Sequence, residues 1–219
     1  MPDDLPATSR PANAMRAPRA VHKFGGTSVG SASAMRQVRS IITGIAAEQG
    51  DGSPLAIVVS AMGGKPKVTD LLIQTVTYAA AGGHEEARSL LGQIRAKHEE
   101  AMADLFCEPG DAAERDSLQH LLRAVSLMRA LDARLVGVIS GYGEQWSARM
   151  MAALLRCSRT PPGGVSWANP GASMVITGFI ASTADGGITT LGRDGSDYSA
   201  SVFGRLFEAE AVMIWTDVS

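Results

Sequence analysis

Short continuous apolar runs alternate along this chain with longer stretches in which apolar residues recur every three or four positions, and small residues separate the two. Val21-His22-Lys23-Phe24 reads as a short buried strand that runs into Gly25-Gly26-Thr27-Ser28. Met35, Val38, Ile41, Ile42 and Ile45 then fall at helical spacing, with Ser31 or Ser33 as the N-cap and Gly50 beyond the end. Leu55 to Ser60 is a β-branched apolar run suited to a strand covered on both faces, and it too opens into a small-residue loop, Ala61-Met62-Gly63-Gly64. Thr69 and Asp70 are placed to cap the next helix. Two more helical stripes follow, one through Leu90, Leu91, Ile94, Met102 and Leu105, the other from Leu118 through Leu121, Leu122, Val125, Met128 and Leu131 to Leu135. Gly141 and Gly143 punctuate the chain before a helix carrying Glu144, Trp146, Met150 and Leu154, and a Pro/Gly-rich stretch from Thr160 to Gly171 interrupts order. Ser173 to Phe179 reads as a strand, Thr189 to Leu191 as the end of another, Gly192 to Ser196 as a loop opening a helix at Asp197, and Val212 to Trp215 as the last strand.

This alternation predicts an α/β fold with a mainly parallel sheet and helices on both faces. In such sheets a ligand sits at the carboxyl ends of the strands, which is where the Gly- and Ser-rich loops fall. With 219 residues and 45% apolar content, one sizeable core is expected. The division expected is a disordered leader over residues 1–20 and a single domain over 21–219, which the resemblance described below implies is a partial catalytic domain.

Charge and composition narrow the partners. A net charge of -2 gives no electrostatic footprint for nucleic acid or an anionic membrane surface. The longest apolar runs are strand-length, far short of the roughly 20 residues that span a bilayer. A small molecule is the expected partner, with no nucleic acid and no membrane. Cys107 and Cys157 are too few for a disulfide framework and lack the paired spacing of a zinc site, so a reducing compartment and no structural metal are expected. The leader has no apolar core of a secretory signal; Arg10, Arg16 and Arg19 give it a faint organelle-transit character that Asp3 and Asp4 oppose. Cytoplasm is the expected location, with a plastid as the alternative.

Lys23 is one of only four lysines among twenty basic residues and lies beside Gly25 and Gly26. Glycines let backbone N–H groups approach phosphate oxygens, and a lysine there would neutralise transferring phosphate. The bare composition fits equally a tight turn beside a solvated edge lysine. Ser60 ends a strand, and Thr69 is by local signs a capping residue. Glu144 opens a helix, where a carboxylate is favoured without any ligand. Arg193, Asp194 and Asp197 cluster on one Gly loop, and Thr216 and Asp217 end the last strand at the same edge of the sheet. No Walker A pattern, dinucleotide fingerprint or protein-kinase catalytic loop is present.

Together these loops resemble the aspartate kinases: Lys23-Phe24-Gly25-Gly26-Thr27-Ser28, Val59-Ser60-Ala61-Met62, Gly141-Tyr142-Gly143-Glu144, Thr177-Gly178-Phe179, Thr190 through Tyr198, and Trp215-Thr216-Asp217. The resemblance covers Val21 to Ser219. Gly143-Glu144-Gln145-Trp146-Ser147 and Gly178-Phe179-Ile180-Ala181-Ser182 look most like the kinase half of plant and algal bifunctional aspartokinase/homoserine dehydrogenases. It implies an amino acid kinase α/β/α sandwich, incomplete at the C-terminus. It also implies transfer of the γ-phosphate of ATP, carried with Mg²⁺, to the side-chain carboxylate of L-aspartate, the first step of lysine, threonine and methionine biosynthesis. By the same resemblance Lys23 and Asp197 are catalytic, and Lys23, Gly25, Gly26, Thr216 and Asp217 face the nucleotide. Ser60, Thr69, Glu144 and Arg193 hold aspartate, with Arg193 clamping the α-carboxylate and Glu144 balancing the ammonium. A homo-oligomer is implied for the full-length protein.

Two departures from the family pattern accompany it. The family continues past the Trp-Thr-Asp strand into a segment that closes over the nucleotide and then into regulatory domains. Between Arg156 and Val175 it carries a longer excursion than the Pro/Gly-rich connection here. Little turnover by these residues alone is therefore expected. Rival readings are another kinase of the same fold, acting on glutamate or carbamate, and a non-catalytic fragment of the family.

Overall fold

The computed structural model describes residues 17–49, 52–105, 132–155, 158–159, 173–192 and 194–216. Its centre is a parallel sheet in which β1 (Ala20–Phe24) lies between β2 (Ala56–Val59) and β7 (Ala211–Trp215), while β4 (Met174–Thr177) joins β2 and β3 (Ser158–Arg159) flanks β4. Every pairing in this sheet is parallel, so all the strands deliver their carboxyl ends to one edge. The register sets Phe24 level with both Val59 and Trp215, and Val59 level with Thr177.

Parallel strands need crossover helices, and the apolar stripes decide which face each helix covers. On one face α1 (Ala32–Gln49), α2 (Val68–Ala81), α3 (His84–Leu105) and α5 (Tyr142–Leu155) build a core with Phe24, Ile57, Val59 and Val175. On the other face α6 (Gly195–Leu206) packs Ala200, with Phe207 just beyond it, against Val21, Ala56, Val58 and Ile176. A short α4 (Ala133–Ser140) precedes α5. The two-residue periodicity of a strand therefore sends Phe24 to the first core and puts Val21 and Lys23 on the α6 side.

Sequence expectations hold for the strands and for Ser31, whose Oγ accepts the Ala34 N–H at 3.2 Å at the start of α1. Two expectations need correction. Thr69 and Asp70 lie inside the first turn of α2, whose N-cap is Lys67 without a side-chain cap bond; the Val68 N–H is met instead by the Met62 carbonyl at 3.1 Å. Gly143 does not break the chain but sits within α5, where a Cβ would come 2.8 Å from the Ala61 Cβ. The strand expected to end near Leu191 is β6 (Ile188–Thr190), which pairs antiparallel with β5 (Ile180–Ser182) in a hairpin separate from the parallel sheet. The leader up to residue 16, the stripe from Leu118 to Leu131, Gly50 and the Pro/Gly-rich stretch lie outside the described residues.

His22 shows why the first strand tolerates a polar residue. It is buried on the Phe24 side of β1, accepts the Trp215 indole N–H on Nδ1 at 3.3 Å, and is held neutral by burial, which lowers its pKa. Trp215 also stacks on Phe24 with centroids 5.8 Å apart, tying the ends of β1 and β7 together.

One close approach fixes how β4 meets α6. The Gly178 N–H donates to the Val59 carbonyl at 2.9 Å, and a Cβ on Gly178 would lie 2.5 Å from the Ser196 Cβ and 3.0 Å from the Val59 carbonyl oxygen. Gly178→Ala should therefore lower the free energy of unfolding by about 1–3 kcal/mol through overpacking. Denaturant titration checks this, and an unchanged midpoint would contradict the approach described.

Candidate active site

The carboxyl edge of the sheet gathers the loops after β1, β2, β4 and β6. Gly25-Gly26 follows β1 and leads into a single 3-10 turn, Thr27–Val29. Lys23 is 7% exposed, yet its ammonium has a partner: Nζ lies 2.5 Å from Oδ1 of Asp197 in the first turn of α6. The same ammonium lies over the glycine turn, 3.7 Å from where a Gly25 Cβ would stand. The solvated edge lysine is thus excluded. Lys23 lies on an interior strand, and a carboxylate from α6 meets its ammonium.

A second contact joins β2 to the same helix. Ser60 Oγ and Ser196 Oγ lie 2.7 Å apart, so adjacent residues of α6 meet the ends of β1 and β2. The backbone places them there. Asp194, at φ 57°, turns the chain into α6 in the left-handed region that aspartate tolerates better than most residues. Phe179, at φ 65°, bends the chain away from β4, and its N–H is met by Ser199 Oγ at 3.0 Å.

Glu144 enters from the opposite face. It sits in the first turn of α5, 4% exposed, and its Oε2 has no hydrogen-bond partner among the described residues. Burial raises its pKa from 4.5 to about 8, opposed only in part by the backbone N–H groups of Glu144 and Ala61. Ala61 directly follows Ser60. A chain of neighbours therefore runs from Lys23 through Asp197, Ser196, Ser60 and Ala61 to Glu144.

Of the residues expected at a site, Lys23, Gly25, Ser60, Glu144 and Asp197 are drawn together this way, and Gly26 is joined through its carbonyl, which accepts the Gly63 N–H at 2.8 Å. Thr69 is half-buried on α2 beside Val68, which approaches Gly143, and Thr216 is exposed at the end of β7. Arg193 and Asp217 lie outside the described residues. Sequence reasoning missed Ser196 as a site residue, although its place between Gly195 and Asp197 at a helix start was a usable signal. It also passed over Lys97, which reaches the second glycine loop from α3.

A lysine thus lies over a glycine turn and faces a carboxylate at a helix N-terminus. The family model described as the amino acid kinase family matches residues 18–219. The chain belongs to the amino acid kinase family. Within this family it is 33% identical to the chloroplastic bifunctional aspartokinase/homoserine dehydrogenase of Daucus carota and 31% identical to one from Arabidopsis thaliana, each alignment covering 91% of this chain and 25% of the relative. Among solved structures it superposes on Escherichia coli aspartokinase III in complex with aspartate and ADP, with TM-score 0.70, 27% identity, and coverage of 90% of this chain and 49% of that one. The same enzyme with lysine and aspartate gives TM-score 0.69 at 26% identity. This amino acid kinase chain thus spans about a quarter of the plant relatives and half of the bacterial enzyme.

Glu144 yields a pH test. Its folded pKa lies above its unfolded value, so between about pH 4.5 and 8 the unfolded chain releases a proton that the folded chain keeps. Its contribution to stability is fully present below pH 4.5 and is lost as pH rises through 8. Glu144→Gln should remove that decline, so that the variant gains on the parent as pH rises across this window in denaturant titrations. Parallel pH dependences would contradict the buried, neutral carboxyl.

Proposed function

We propose that the protein is an aspartate kinase that transfers the γ-phosphate of ATP to the β-carboxylate of L-aspartate, giving 4-phospho-L-aspartate. The observation that carries this reading is the Lys23–Asp197 pair at the meeting of the first glycine loop and the α6 N-terminus, with buried Glu144 on the far side of the same edge. The aspartokinase names of the relatives and the aspartate and ADP held by the bacterial enzyme support it.

The first barrier is repulsion between an anionic acceptor and an anionic γ-phosphate. Lys23 and the N–H groups of the glycine loop would meet that charge, and Asp197 would hold the ammonium in place when no nucleotide is bound. No general base is required, because the acceptor carboxylate is already ionised at neutral pH. Glu144, neutral when the site is empty, would ionise as the substrate ammonium arrives, since an opposite charge favours the ionised form. Arg193 would clamp the α-carboxylate, with Ser60 and Thr69 beside it and Thr216 and Asp217 toward the nucleotide. Mg²⁺ would bind mainly through the nucleotide phosphates and shield their charge. We also propose that the whole protein is a homo-oligomer. The plastid, the alternative location above, gains support from the chloroplastic names of the plant relatives.

The test is ATP- and aspartate-dependent acyl phosphate formation, trapped with hydroxylamine, by the product of the complete reading frame. Turnover with aspartate and not glutamate is expected, and Lys23→Ala should lower it by roughly 10²-fold or more, the scale on which loss of one electrostatic stabiliser acts. Turnover that survives in Lys23→Ala, or that prefers glutamate, would refute the assignment.

A further inference from the structure

Lys97 is used by nothing described so far, yet it reaches the site's second loop from a helix 34 residues further along the chain. It projects from the middle of α3, half-buried, and donates to two carbonyls of the loop between β2 and α2, that of Gly63 and, at 3.0 Å, that of Pro66. Gly63 is held from the other side as well, because its N–H donates to the Gly26 carbonyl at 2.8 Å. The two glycine loops touch so closely there that a Cβ on Gly63 would lie 2.5 Å from the Gly26 carbonyl carbon and 2.8 Å from the Thr27 nitrogen. Gly63 is thus clamped between the phosphate-facing turn and the Lys97 ammonium, and the loop it belongs to begins at Ser60.

We propose that Lys97 is a positioning residue: by tethering the Gly63 and Pro66 carbonyls it sets the distance between the two glycine loops, and so the alignment of the group transferred between them. The start of the loop is held by Ser60, through Phe24 and Ser196, whereas beyond Gly63 α2 has no side-chain cap and this ammonium meets the Pro66 carbonyl. A flexible point charge with several donors suits two carbonyls that diverge, and burial of the ammonium, which lowers its pKa, makes each bond count for more than at the surface. Lys97 touches no reacting atom. Its loss should act on the rate, because a misplacement of about 1 Å is felt in the transition state far more than in ground-state binding.

The inference rests on the kinase reading, so its test has one arm that needs turnover and one that does not. Hydrogen exchange on this chain compares Lys97→Met and Lys97→Gln with the parent. The Gly63 amide should exchange faster in both while the amides of β1 and β2 keep their protection. In the product of the complete reading frame, Lys97→Met should lower kcat by roughly tenfold with KM for ATP and aspartate changed less than about twofold, and Lys97→Arg should recover most of the loss. Unchanged Gly63 exchange in the two variants overturns the tether. A loss of kcat that follows general unfolding and is not recovered by arginine overturns the positioning role. A parent without turnover counts against the kinase reading, and the exchange arm still decides the tether.

Discussion

Everything at the carboxyl edge of this sheet depends on one requirement, that a lysine on a buried strand be met by an opposite charge. An ammonium enclosed without a partner would cost several kcal/mol or lose its proton. Asp197 meets it, and because Asp197 is in the first turn of α6, the pair also fixes where that helix begins and which way its N–H groups point. The serine contact between Ser60 and Ser196 then follows from the next residue of the same turn. An electrostatic need of the first strand thus sets the geometry of the candidate site.

The parallel sheet supplies the rest. With β1 flanked by β2 and β7, the loops after the strands open on the same side, and the two glycine turns can approach until only hydrogen atoms fit between their backbones. Gly143 serves the same end from within a helix, letting α5 come close to Ala61 and bringing Glu144 beneath the second loop. The buried acid and the buried base of this region are treated differently. Lys23 is paired with Asp197, whereas Oε2 of the Glu144 carboxyl has no hydrogen-bond partner among the described residues.

Much of this was legible in the sequence because local patterning and the fold agree. The run Leu55 to Ser60 could be little other than an interior strand, and Gly25-Gly26 after Val21 to Phe24 could only be a turn at its end. What could not be read depends on distant neighbours. That Lys23 is buried follows from β7 pairing outside β1, a contact between residues nearly the whole described chain apart. Thr69 and Asp70 are not caps because a backbone carbonyl of the preceding loop, that of Met62, meets the Val68 N–H in place of a side chain. Gly143 was mistaken for a breaker because its reason, the Ala61 methyl, belongs to a different loop. The resemblance to aspartate kinases supplied roles that spacing alone left open, since a lysine beside two glycines is equally a turn.

The central claim, that Lys23 and Asp197 act as one unit in phosphoryl transfer, is tested most directly by a double-mutant cycle. Lys23→Met, Asp197→Asn and the double variant are compared in the rate of trapped acyl phosphate formation by the product of the complete reading frame. Residues that work as a unit are strongly non-additive, so the double variant should be no slower than the slower single variant. Losses that multiply, as they do for independent sites, would contradict the account.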